Sequence, residues 1–94
     1  MSASSITRMY FRFYGRVQGV GFRYKVSYLA SRGRLTGWVE NDYDGSVRVE
    51  LQGPKEEITR VLEALYTDRY IQIEDYTSRT IPPEEEERGF HIRG

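Results

Sequence analysis

Met9, Phe11 and Phe13 alternate with Tyr10, Arg12 and Tyr14, the two-residue period of a strand with one buried face. Phe22, Val26, Leu29 and Ala30 then recur at helical spacing, and Gly33 is placed to stop that helix just past its last turn. Leu35 to Asn41 reads as a second strand, and Asp42-Tyr43-Asp44-Gly45 as a tight hairpin connection, with Asp-Gly its strongest element. Val47, Val49 and Leu51 alternate with Arg48, Glu50 and Gln52, a third strand with one wet face. Gly53-Pro54 ends it, and Pro54 suits the opening turn of a helix. Ile58, Val61, Leu62 and Leu65 give that helix its apolar stripe, while Glu56 and Glu57 in its first turn match the helix dipole. Ile71 and Ile73 begin a fourth strand reaching toward Arg79. Pro82-Pro83 and the glutamates of 84–87 predict a polar excursion with a solvated charge run, and Phe90-His91-Ile92 a short terminal strand.

The order β-α-β-β-α-β is the split βαβ pattern of an α+β, ferredoxin-like sandwich, in which two helices cover one face of an antiparallel sheet. A right-handed crossover makes the first two strands parallel, with the third slotted between them. Parallel strands finish at the same sheet edge, so the ends of strands one and two lie about 10 Å apart. A chain of 94 residues predicts one domain spanning 1–94, with residues 1–6 as a flexible tail.

That sheet edge receives the most unusual stretch of the chain. Gly15-Arg16-Val17-Gln18-Gly19-Val20-Gly21-Phe22 links the first strand to the first helix, with three glycines in seven positions. Glycine permits positive φ and close approach of a ligand to the main chain. A loop of this kind at a helix N-terminus aims several N–H groups at one anion. Charge agrees. The fourteen basic and fourteen acidic residues cancel overall, yet Arg8, Arg12, Arg16, Arg23, Lys25, Arg32 and Arg34 run from 8 to 34 without one acidic residue among them. Such asymmetry steers anions to one region of a neutral protein. Arg23 falls in the first turn of the helix, where the dipole disfavours a cation, and Lys25 repeats the conflict. A bound anion turns that liability into attraction. Asn41 closes the second strand at the same edge; Asn before a turn also has a purely local explanation.

The chain has no cysteine, which excludes disulfides, thiolate catalysis and cysteine-bound metal. No cluster has metal-ligand spacing, so neither metal nor cofactor is expected. The single histidine, His91, reads as a plain strand residue. The start of the chain lacks a basic and apolar leader, and no run reaches membrane-spanning length, which predicts a soluble cytoplasmic protein. Two other phosphate motifs fail: the loop lacks a Gly-Lys-Ser/Thr ending, and Tyr24 stands where a dinucleotide fingerprint needs glycine.

Gly15 to Arg23, followed by Gly37-Trp38-Val39-Glu40-Asn41 and Asp44-Gly45-Ser46-Val47, resembles acylphosphatase over residues 8–66. The resemblance implies an enzyme that hydrolyses the carboxyl–phosphate bond of a small-molecule acyl phosphate without metal, as a monomer. It implies that Gly15, Arg16, Val17, Gln18, Gly19, Val20, Gly21 and Phe22 form the phosphate loop, that Arg23 clamps the phosphate, and that Asn41 orients the attacking water. Asp42 departs from the family pattern by adding negative charge beside Asn41, with an expected penalty on anion affinity. The segment from Thr67 onward is only loosely similar. Two alternatives come from another class. One is a non-catalytic phosphate or carbamoyl-phosphate binder; the other is an RNA-binding module, for which Gly21-Phe22-Arg23-Tyr24 bears a faint likeness to an aromatic RNA box. That box belongs on a strand, whereas the pattern here is helical and the net charge zero. Nucleic-acid and membrane partners are therefore not expected.

Overall fold

The computed structural model describes residues 5–94, so the expected tail over residues 1–6 lies mostly outside them. Seven elements follow in order: β1 (Thr7–Arg16), α1 (Phe22–Arg32), β2 (Thr36–Asn41), β3 (Val47–Gly53), α2 (Lys55–Tyr66), β4 (Gln72–Ile81) and β5 (Phe90–Arg93). The sheet runs β4-β1-β3-β2-β5. β3 lies antiparallel between β1 and β2, pairing Phe11 with Val49 on one side and Val39 with Val49 on the other. β1 and β2 are therefore parallel and finish at one edge, as the crossover argument requires.

The alternation read in the sequence sorts the side chains. Phe11, Phe13, Val39, Val47, Val49 and Leu51 turn inward against Val26 and Ala30 of α1 and Ile58, Val61 and Leu65 of α2, forming one buried core. No helix among the described residues is long and apolar enough to cross a membrane.

β5 departs from an all-antiparallel sheet. It lies parallel to β2, pairing Trp38 with His91, and makes the sheet mixed. The cause is geometric. The chain leaves β4 at one edge and crosses to the other, and its reversal sets β5 antiparallel to β4 and so parallel to β2. The crossing segment corrects a second expectation, because Glu87 is not part of a solvated run. Its carboxylate grips the buried Arg8 at 2.7 and 3.1 Å. Arg8 also meets Glu50 at 2.7 Å, and Gln52 exchanges hydrogen bonds with the main chain of Glu84 at 3.0 and 2.7 Å. The excursion is thus strapped to the helix-free face of the sheet.

On that face Arg79 sits 4.4 Å over the Tyr10 ring and Arg93 4.3 Å over Trp38.

Burial works to raise the Glu87 carboxyl, but the hydrogen bonds and charge of Arg8 outweigh it and hold it below its ordinary value. Its stabilisation is therefore complete above about pH 4–5, the ordinary carboxylate range, and is lost as pH falls through the lower folded value. Glu87→Gln should cost on the order of 2 kcal/mol at neutral pH, moderated because Arg8 keeps Glu50. Urea unfolding at several pH values reads this: the variant's midpoint should fall less steeply in acid than the wild type's.

The end of α1 falls where Gly33 was expected to stop it. Gly33 keeps a negative φ of −86°, and Arg34 takes the left-handed conformation at φ 58°. The N–H groups of Arg34 and Leu35 return to Ser31 and Ala30 at 3.2 and 2.8 Å, a Schellman closure built on arginine. Gly33 lies close to α2, where a Cβ would come within 3.1 Å of the Glu57 carboxylate.

Candidate active site

β1 does not end where the glycines begin. Gly15 and Arg16 remain in the strand, paired with Ile73 and Gln72 of β4 across a bulge that begins at Tyr14. Gly15 is needed there because φ is +123° and a Cβ would lie 2.3 Å from the Gln72 carbonyl oxygen. Of the stretch 15–22 expected to form the phosphate loop, Gly15 and Arg16 thus lie in β1 and Phe22 opens α1, which leaves 17–21 as the connecting segment. Gly19 and Gly21, at φ 76° and 83°, face open space instead.

Buried apolar side chains pin both ends of this loop. Val17 is fully buried, and Phe22 packs its ring 5.3 Å from Phe13. An anchor like Phe22 typically resists truncation by about 3–5 kcal/mol. Gln18 supplies a third tie, since its Nε2 donates to the carbonyls of Asp42 at 2.6 Å and Ser46 at 2.9 Å. Its side chain thus holds the loop to the β2–β3 turn. Val20 packs on the core.

The main-chain N–H groups between these anchors are unpaired among the described residues. Among the described residues, no protein group accepts a hydrogen bond from the N–H groups of Gln18 through Tyr24; the first helical bond is Lys25 N–H to Gly21, at 2.9 Å. α1 begins at Gly21 in the left-handed conformation, without a side-chain cap or an acidic residue in its first turn. Its orphan donors and dipole face the loop.

Val17, Gly19, Gly21, Phe22, Arg23, Tyr24 and Asn41 line one cavity of about 170 Å³. Residues eighteen positions apart in sequence, Arg23 and Asn41, thus share a wall through the parallel ends of β1 and β2. A wider groove of about 390 Å³ runs between the helices past Leu29, Val61 and Ala64, but the loop glycines Gly19 and Gly21 line the smaller one. Gly15, Arg16, Gln18 and Val20 do not line it. Tyr24 does, although its spacing in the chain is that of an ordinary exposed helix position and marks it for no role in a phosphate site.

The two cations that conflict with the helix dipole have different fates. Lys25 reaches Asp68 at 3.2 Å, whose carboxyl the Tyr70 N–H and Lys25 hold below its ordinary value. Arg23, half-buried, has no carboxylate within 4.0 Å among the described residues. Asn41 is in a similar position: its buried Oδ1 has no hydrogen-bond partner among the described residues. A guanidinium without an anion and an acceptor without a donor therefore face one small cavity.

Asp42 does not add a free charge beside them. Its carboxylate turns to Arg12 at 2.9 Å, with Arg48 at 3.8 Å, and accepts the Tyr43 N–H at 2.8 Å. Arg12 also donates to the Ser46 hydroxyl at 2.7 Å, and that hydroxyl donates to Asp44 at 2.6 Å. This network holds the turn that carries Asn41.

The acylphosphatase family model matches residues 9–92. The chain is 40% identical to an acylphosphatase of Clostridium acetobutylicum over 79 residues, 83% of this chain and 87% of the relative. It is 44% identical to one of Salinibacter ruber over 66 residues, 70% of each. The crystal structure of acylphosphatase from Bacillus subtilis superposes with a TM-score of 0.86 at 31% identity, covering 94% of this chain and 99% of that one. With the family model matched over residues 9–92 and a 40% identical relative covered over 87% of its length, this chain belongs to the acylphosphatase family.

Proposed function

We propose that the cavity binds the phosphoryl group of a small acyl phosphate and hydrolyses its carboxyl–phosphate bond to a carboxylate and inorganic phosphate. The main-chain N–H groups of residues 18–24 and the guanidinium of Arg23 hold the phosphoryl oxygens. Arginine suits this because its planar fork gives two parallel hydrogen bonds and keeps its charge. The attacking water donates one hydrogen to Asn41 Oδ1, which aims its lone pair at phosphorus in line with the departing carboxylate. A mixed anhydride has a good leaving group, so positioning and electrostatic stabilisation suffice without a strong base. Among the described residues, no three His, Asp or Glu side chains converge to hold a metal ion.

The observation that carries this reading is that Arg23 without a carboxylate, the loop residues Gly19 and Gly21 with unpaired N–H groups, and the orphan Asn41 Oδ1 line one cavity among the described residues. The protein acts as a single-domain monomer in the cytoplasm. A radius of gyration of 12.6 Å supports the single self-contained unit, since about 12 Å is expected for such a domain of this length. Turnover of benzoyl phosphate with a chelator present tests the reading. Hydrolysis should proceed undiminished, with inorganic phosphate as a competitive inhibitor. Saturable phosphate binding without hydrolysis would leave a binding module instead.

A further inference from the structure

Tyr24 lines the anion cavity without belonging to the loop, to Arg23 or to Asn41. It follows Arg23 in the first turn of α1 and is 71% exposed. Side chains there lean toward the helix N-terminus, which here means toward the cavity mouth. Its ring is free: among the described residues, no aromatic side chain packs on it and no guanidinium covers it. Tyr28, one turn along, is occupied, with Arg32 lying 5.7 Å from its ring centre and donating to its hydroxyl at 2.9 Å.

In-line displacement sets the water and the departing carboxylate on opposite sides of phosphorus. With the water at Asn41, the acyl substituent leaves away from the end of β2. The loop and Arg23 are engaged by the phosphoryl group, which leaves Tyr24 as the lining side chain free to meet the substituent. We propose that Tyr24 is the specificity residue of this site, packing its ring on the acyl substituent and favouring acyl phosphates with a flat apolar group over those with a methyl group alone. The inference rests on the acyl-phosphate reading of the cavity. Contact with the substituent is the same before and during P–O cleavage, so it acts on KM and leaves kcat unchanged.

The test compares benzoyl phosphate and acetyl phosphate on wild type, Tyr24→Ala and Tyr24→Phe, with inorganic phosphate as competitor. Tyr24→Ala should lower the benzoyl-over-acetyl preference in kcat/KM about fivefold through KM, the effect of one aromatic contact. Tyr24→Phe should retain the preference, and the phosphate inhibition constant should hold within about twofold in both variants, because the ring does not touch phosphate. An unchanged preference in Tyr24→Ala overturns the inference. A rise in the phosphate constant that matches the loss on benzoyl phosphate also overturns it, since the ring would then act through Arg23 or the loop. Wild type that binds phosphate but hydrolyses neither compound removes the hydrolase reading, and this inference with it.

Discussion

Arg23→Ala is expected to give a folded protein without measurable affinity for inorganic phosphate and with kcat lowered about 10³–10⁵-fold, the range for losing a transition-state arginine. The side chain is half-buried at the start of α1, facing the cavity, with no carboxylate to neutralise it among the described residues. Its removal takes away charge and fork together, while the main-chain donors remain. Arg23→Lys should recover only part of the loss, because an ammonium cannot match two phosphoryl oxygens in one plane. Stability should move the opposite way. Removing a cation from the positive end of a helix relieves about 0.3–1 kcal/mol, so the urea midpoint should hold or rise as activity disappears. Phosphate competition, turnover and urea unfolding on the same preparations check all three. Phosphate binding to Arg23→Ala at wild-type strength would refute the assignment of the clamp.

Asn41→Ala should separate binding from chemistry. Turnover is expected to fall about 10²–10³-fold, the effect of losing one oriented polar group in a preorganised site. The phosphate inhibition constant should stay within about threefold, because Asn41 is assigned to the water and not to the phosphoryl oxygens. The buried Oδ1 has no protein partner among the described residues, so its removal spares the fold an unsatisfied acceptor and should not destabilise it. Single-turnover kinetics beside phosphate competition make the comparison. Retained turnover would detach Asn41 from the water, and equal losses in turnover and phosphate affinity would move it into the anion clamp.

Much of this geometry was legible because it depends on local period and short-range topology. The alternation at Met9, Phe11 and Phe13 and at Val47, Val49 and Leu51 specified which faces are buried. The element order alone places Arg23 and Asn41 at one sheet edge. What escaped depends on contacts remote in sequence. Glu87 read as one more solvated glutamate because Arg8 is 79 residues away. Gly15 read as part of the loop because the β4 carbonyl that excludes a side chain there is 57 positions on, at Gln72. Gly33 was expected to stop α1 just past its last turn, and it does cap the helix after Arg32. It keeps a negative φ, and Arg34, the next residue, bears the positive one. Asp42 looked like a liability because its neutralising partner, Arg12, lies thirty residues earlier on another strand.

The two arginine-covered rings on the helix-free face decide what that surface can be used for. Related sheet architectures that read single-stranded RNA offer bare aromatic faces on which nucleobases lie. Here Arg79 and Arg93 already occupy the π-faces of Tyr10 and Trp38, and the strap from Glu84 to Glu87 fills the area beside them. A nucleobase arriving there would have to evict an intramolecular cation before gaining any stacking surface. At these two rings the π-faces are taken by the protein's own cations, so this part of the sheet offers no bare aromatic platform.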